Sequence, residues 1–138
     1  PIVFHPNAGT LLVCDFSGMV EPEMVKSRPV IVVSPRLRQR TGLCTIVPLS
    51  TTIPTSIMPW HCKLILDEPL SVKWDKTEIW AKCDMLYTMR FERLDRFHAR
   101  VGSHRKYYDR HIADEQLLMK EIVYIRFFVK NEVLAISV

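Results

Sequence analysis

The chain has 138 residues, of which 48% are hydrophobic and 25% charged, a make-up that suits one globular domain and excludes a disordered or repetitive chain. A net charge of +4 and a pI near 9.0 lean toward a polyanionic partner, because surface Lys and Arg raise the local concentration of phosphate. The longest aliphatic runs, such as Val30 to Val33, are far too short to span a membrane, and no cationic stretch followed by an apolar h-region opens the chain, so a cytoplasmic protein with no membrane partner is expected.

In chain order, Thr10 to Phe16 is a short apolar β-prone run that stops at Ser17-Gly18 and reads as a first strand. Met19 to Ser27 carries Pro22, two glutamates and Lys26 with no sustained period, and is expected as a polar connection able to carry function. Pro29 opens a second strand, Val30 to Ser34, whose unbroken aliphatics imply burial on both faces or a central place in a strongly curved sheet. Arg36 to Gly42 reads as a hairpin connection to a third strand, Leu43 to Leu49, which Ser50-Thr51-Thr52 follows. Further strands are expected at His61 to Leu66 and along Trp80 to Arg90.

The persuasive helix comes late. Asp114 suits an N-cap, and Leu118, Ile122, Ile125 and Val129 make one apolar stripe at helical spacing. The tail from Val133 to Val138 suits a last strand or an extension of that helix. Many short strands and one terminal helix predict a mainly β (α+β) fold, a small, strongly bent, mostly antiparallel β barrel with a C-terminal helix.

The cysteines Cys14, Cys44, Cys62 and Cys83 never form C-x-x-C and are expected to be reduced and mostly buried. His5, His61, His98, His104 and His111 show no metal-ligand spacing, and no G-x-G-x-x-G or G-x-x-x-x-G-K-[ST] motif is present, so neither a metal nor a cofactor is expected. Trp60, Trp74 and Trp80 suit a half-buried place at a barrel edge as well as a groove lining. His104 to Arg110 mixes cations with aromatics, which suits either a grip on phosphates and unpaired bases or a charged connection into the helix.

The segment from Glu23 to Pro35 places a carboxylate and a guanidinium on a loop with a rigid strand behind. Pro29 disfavours helix at Arg28 and holds that arginine extended at the strand entrance, a good mount for a phosphate-binding fork. Spacing alone is equally compatible with a solvated surface pair. The ordered set carries more: Gly9 to Asp15-Phe16, then Glu23, Arg28-Pro29, an aliphatic strand, Ser34-Pro35, and Cys44-Thr45-Ile46-Val47-Pro48-Leu49-Ser50-Thr51. In that order these pieces resemble the PemK/MazF family of toxin endoribonucleases from type II toxin–antitoxin systems. Asp84-Met85-Leu86-Tyr87-Thr88 stands where the family commonly has D-Q-(I/V)-(R/K)-(S/T), and Arg93-Leu94 is similar to its R-L element. Met85 in place of a glutamine, Tyr87 in place of a basic residue, and a longer basic region from His98 to His111 are departures that bear on cleavage efficiency and sequence preference.

The resemblance implies an SH3-like barrel that forms a homodimer and cuts single-stranded RNA without metal, using the RNA's own 2′-hydroxyl. Arg28 would stabilise the phosphorane-like transition state and Glu23, or its neighbour Glu21, would take the 2′-hydroxyl proton. Ser50 or Thr51 would donate a hydrogen bond to a phosphate oxygen, although hydroxyls just past a strand also cap turns. The general acid is unassigned. Lys26, Arg36 and Arg38 on the connections, Asp84, Tyr87 and Thr88 in the second motif, and Arg105 and Lys106 in the basic region are the candidate RNA contacts. A cognate antitoxin would lay a disordered acidic segment over the basic groove. Two alternatives stand beside the nuclease: a toxin on the same barrel that binds a protein such as DNA gyrase, and a non-catalytic nucleic-acid-binding relative.

Overall fold

The computed structural model describes residues 1–36 and 39–112. Among the described residues ten strands follow one another: β1 (Thr10–Asp15), β2 (Ser27–Val32), β3 (Leu43–Ser50), β4 (His61–Ile65), β5 (Glu78–Lys82), β6 (Tyr87–Arg90), β7 (Leu94–Asp95), β8 (Phe97–Val101), β9 (His104–Tyr108) and β10 (Arg110–His111), with a 3-10 turn at Phe91–Arg93 between β6 and β7. Eight strands form a strongly curled antiparallel sheet in the order β10-β1-β2-β3-β5-β4, with β6 on β3 and β7 on β1, while β8 and β9 pair with each other.

The aliphatic runs of β1, β2 and β3 are explained by burial on both faces. Successive residues alternate between two cores: Leu11, Ile31, Val47 and Leu49 enter one with Leu64, Ile79 and Phe97, whereas Leu12, Cys14, Val30, Val32 and Ile46 enter the other with Phe16, Met89 and Leu94. This is the period-2 geometry of a strand covered on both sides. All four cysteines are buried, and none is in a disulfide among the described residues. Burial pushes the Cys14 thiol up to about 12 and the Cys44 thiol up to about 11, which keeps both protonated and unreactive.

Several sequence expectations shift in detail. β2 begins at Ser27 because Ser27 and Arg28 pair with Asp15 and Cys14, and it stops at Val32, after which Val33 N–H donates to Thr45 O and Thr45 N–H donates to the Ser34 hydroxyl. The run from Trp80 to Arg90 is two strands, not one: it turns after Lys82, whose carbonyl accepts from Met85 N–H at 3.0 Å. The region from His98 is a β hairpin rather than a plain connection, rooted by Phe97 and Tyr108, which are register partners. The helix expected from Asp114 and the strand expected at Val133 to Val138 lie outside the described residues.

Candidate active site

The loop joining β1 to β2 is tied at both ends and in the middle. Phe16 N–H donates to Lys26 O at 2.9 Å, and Ser17 N–H donates to the Asp15 carboxylate at 2.9 Å, which holds that carboxyl below its usual range. Gly18 turns the chain at φ +91, a region glycine enters without a Cβ penalty. A second turn closes reciprocally, since Glu23 N–H donates to Val20 O at 3.0 Å while Val20 N–H donates to Glu23 Oε2 at 2.9 Å. Phe16 and Met24 bury their side chains beneath the loop. Tyr87 on β6 sets its ring edge against Phe16 at 5.3 Å and accepts Met24 N–H at 3.1 Å. Arg93 reaches up from the 3-10 turn and donates to Asp15 O at 2.9 Å and Ser17 O at 2.8 Å.

Arg28 sits half-buried in β2 opposite Cys14, and its Nε donates to Val25 O at 3.3 Å. That bond orients the guanidinium and leaves its two terminal amines without a partner among the described residues. Arg28 borders an open groove of about 440 Å³ lined also by Glu21, Pro22, Glu23, Met24, Val25, Lys82 and Met85. Two carboxylates, a guanidinium and an ammonium thus share one depression, with Met85 and Met24 as its apolar floor.

Proline chemistry keeps this end of the sheet open. The β2–β3 ladder runs only from Val30↔Pro48 to Val32↔Ile46, and neither Pro29 nor Pro48 has an N–H with which to continue it. Carried two residues further, the same register sets Ser50 across from Arg28, and strand alternation gives the two one face. Instead of pairing there, β3 turns its last residues to the other neighbour, through Leu49↔Ala81 and Ser50↔Trp80.

The candidates from sequence therefore divide. Glu23 and Arg28 meet in the groove, with Glu21 beside them, and Lys82 joins them without having been singled out. Its signal was its position at the end of a β-prone run, immediately before the Cys83-Asp84-Met85 segment. Ser50 shares Arg28's face but spends its hydroxyl on a turn, accepting Thr52 N–H at 3.1 Å; Thr51 lies just beyond the strand. Lys26, exposed at φ 67, closes the loop. Asp84 is exposed in the β5–β6 turn, Tyr87 is an anchor of the loop, and the Thr88 hydroxyl bonds Thr45 at 3.1 Å. Arg36 lies past the far end of β2, in a separate groove of about 520 Å³ with Phe4, His5, Arg40 and Phe91, up to roughly 25 Å of extended chain from Arg28. Arg105 and Lys106 stand exposed on β9, and Arg38 lies outside the described residues. No histidine lines the Arg28 groove; His61 accepts Met58 N–H, and His111 contacts Ala8 O and Ile112 O.

The profile of the PemK-like, MazF-like toxins of type II toxin–antitoxin systems matches residues 7–108, which span β1 through β9. The chain belongs to this toxin family. Among curated proteins, the uncharacterised protein YifN of Escherichia coli (strain K12) is 27% identical over 114 residues, covering 69% of this chain and 75% of that one. MazF (form I) from Deinococcus radiodurans superposes with a TM-score of 0.61 at 17% identity, over 91% of this chain and 97% of that one. An endoribonuclease in complex with its cognate antitoxin, from a mycobacterial species, gives a TM-score of 0.58 at 17% identity, over 88% and 92%. These likenesses make the fold of this PemK/MazF-like chain that of the MazF-type structures. The family match takes in the whole groove, from Glu21 to Met85, and the whole β8–β9 hairpin, which ends at Tyr108. Among the described residues, no helix of this family member is long and apolar enough to cross a membrane.

Proposed function

We propose that this PemK/MazF-like toxin is a metal-independent endoribonuclease that cuts single-stranded RNA at the Arg28 groove. The observation that supports the reading best is Arg28 itself: a guanidinium oriented by one backbone bond, on a residue that lines an open groove together with Glu23 and Lys82. A fork of this kind stabilises charge that develops on a phosphoryl group without reorganising during reaction.

In the proposed reaction the RNA 2′-oxygen attacks the adjacent phosphorus while Glu23 accepts its proton through Oε1, the carboxylate oxygen not engaged by Val20 N–H. Arg28, with Lys82 beside it, balances the charge on the non-bridging oxygens. The bond from phosphorus to the 5′-oxygen then breaks, leaving a 2′,3′-cyclic phosphate. The departing 5′-oxygen takes its proton from solvent, because an arginine gives one up reluctantly. In this reading Ser50 leaves its turn with Thr52 and donates to a phosphate oxygen. A homodimer and an acidic antitoxin segment that competes with RNA for Arg28 and Lys82 complete the reading; the mycobacterial endoribonuclease bound to its antitoxin lends support to the second.

The test is to incubate the folded protein with long single-stranded RNA in EDTA, identify the new termini, and repeat with Arg28→Ala. Cyclic phosphate and 5′-hydroxyl ends are expected, with the variant slower by about 10²–10³-fold. RNA left intact across many sequences, by protein free of antitoxin, overturns the nuclease.

A further inference from the structure

The β8–β9 hairpin is a surface that the fold pays for and the Arg28 groove does not use. Its root is firm: Phe97 is 1% exposed, meets Trp74 edge-on at 6.0 Å and stacks on Tyr108 at 6.3 Å, while the Tyr108 hydroxyl donates to Leu70 O at 2.5 Å. Beyond the root, the register sets His98 opposite Tyr107 and Arg100 opposite Arg105. In an antiparallel pair, partners directly opposite share a face, so these four side chains form one face of the ribbon, and Lys106 falls on the other.

Two features of that face need explaining. Arg100 and Arg105 are both exposed, and neither has an acidic partner among the described residues; like charges directly opposite destabilise a strand pair. A two-stranded ribbon has little stability in reserve, so the fold gains nothing from this pairing. Next to them the rings are already arranged for cations and planes. His98 lies 5.5 Å from Tyr107, and the Arg96 guanidinium sits 5.1 Å over the Tyr107 ring. Arg96 takes one face of the Tyr107 ring, and arginines beside an aromatic ring are the chemistry that holds an unpaired nucleic-acid strand, cations on phosphates and bases on rings.

We propose that the face formed by His98, Arg100, Arg105 and Tyr107 is a second RNA-binding site, gripping single-stranded RNA outside the Arg28 groove. It rests on the reading of the protein as an RNA-acting toxin and adds where substrate is held away from the scissile bond. The RNA supplies the negative charge that the Arg100–Arg105 pair lacks, and Tyr107 receives a base.

The experiment measures binding separately from cleavage. Full-length Arg28→Ala protein is titrated into a fluorescent, unstructured single-stranded RNA, and anisotropy is followed over a salt series. In that background, Arg100→Gln with Arg105→Gln should weaken binding about tenfold and lower the slope of log K against log salt by about 1.4, the share of two phosphates on a single strand. Glutamine keeps the stems and hairpin packing, and circular dichroism checks the fold. Tyr107→Leu should weaken binding about tenfold while leaving the slope unchanged, since stacking releases no counterions. Lys73→Gln with Lys76→Gln removes equal charge from the β4–β5 connection and should change binding less than twofold. Equal losses for the two arginine and the two lysine changes, or none for either, overturn the hairpin site, as does an Arg28→Ala protein that binds no RNA. Hairpin-dependent binding by a wild-type protein that cuts nothing would instead overturn the nuclease alone.

Discussion

Tyr87 stands where the resembling family places a basic residue, and its surroundings explain the exchange. Its ring packs on Phe16 and its oxygen accepts Met24 N–H, so it builds the loop from below instead of offering a charge to RNA. Tyr87→Phe should cost about 1 kcal/mol in urea unfolding, the worth of one such bond, and speed amide exchange at Met24; unchanged exchange there would refute the anchor. The buried thiols give a pH test. Cys14 ionises near 9.0 when unfolded and at about 12 when folded, so burial of its protonated form contributes fully below pH 9 and is lost as pH rises toward 12. The stability advantage of the wild type over Cys14→Ala should therefore shrink by about 1–2 kcal/mol between roughly pH 8 and pH 10.5, and iodoacetamide should label Cys14 and Cys44 only after unfolding.

Among elements, the β1–β2 loop shows how a polar stretch without period acquires a definite shape. Its hydrogen bonds run to Tyr87 on β6 and to Arg93 in the 3-10 turn, both far along the chain, and Phe16 and Met24 drop into the core. Arg93→Ala removes two bonds from a charged donor and should destabilise the protein by about 1–3 kcal/mol. Limited proteolysis should then cut first between residues 17 and 26; cleavage elsewhere first would show that the loop is held without Arg93. The sequence made β1, β2 and β3 legible because aliphatic runs between prolines and glycines have few other uses. It hid the β8–β9 hairpin, since only Phe97 on β8 is buried and an exposed ribbon carries no alternation of apolar and polar residues. It also hid the break between β5 and β6, where the apolar pattern runs on through the turn.

For the molecule as a whole, a charge of +4 understates what an RNA strand would meet, because cations gather on the hairpin, while Arg28 and Lys82 share the groove with two carboxylates. RNA affinity should fall about tenfold or more between roughly 50 and 200 mM salt, as expected once three or more phosphates are neutralised; a flat response would mean that RNA is not held by these cations. What the sequence determined by itself is the sheet and the place of Arg28 on it, since backbone restriction by Pro29 and the aliphatic strand behind it are local effects that need no partner. The fold had to decide the company Arg28 keeps. Lys82 and Met85 join it from some 55 residues away, while Ser50 leaves the β2–β3 ladder to pair with Trp80 on β5. Arg36, close in sequence, is carried to the opposite end of β2. Such neighbours are set by which strands pair and where the ladder stops, and pairing is a long-range choice made by two buried faces together, which no stretch of the chain encodes alone.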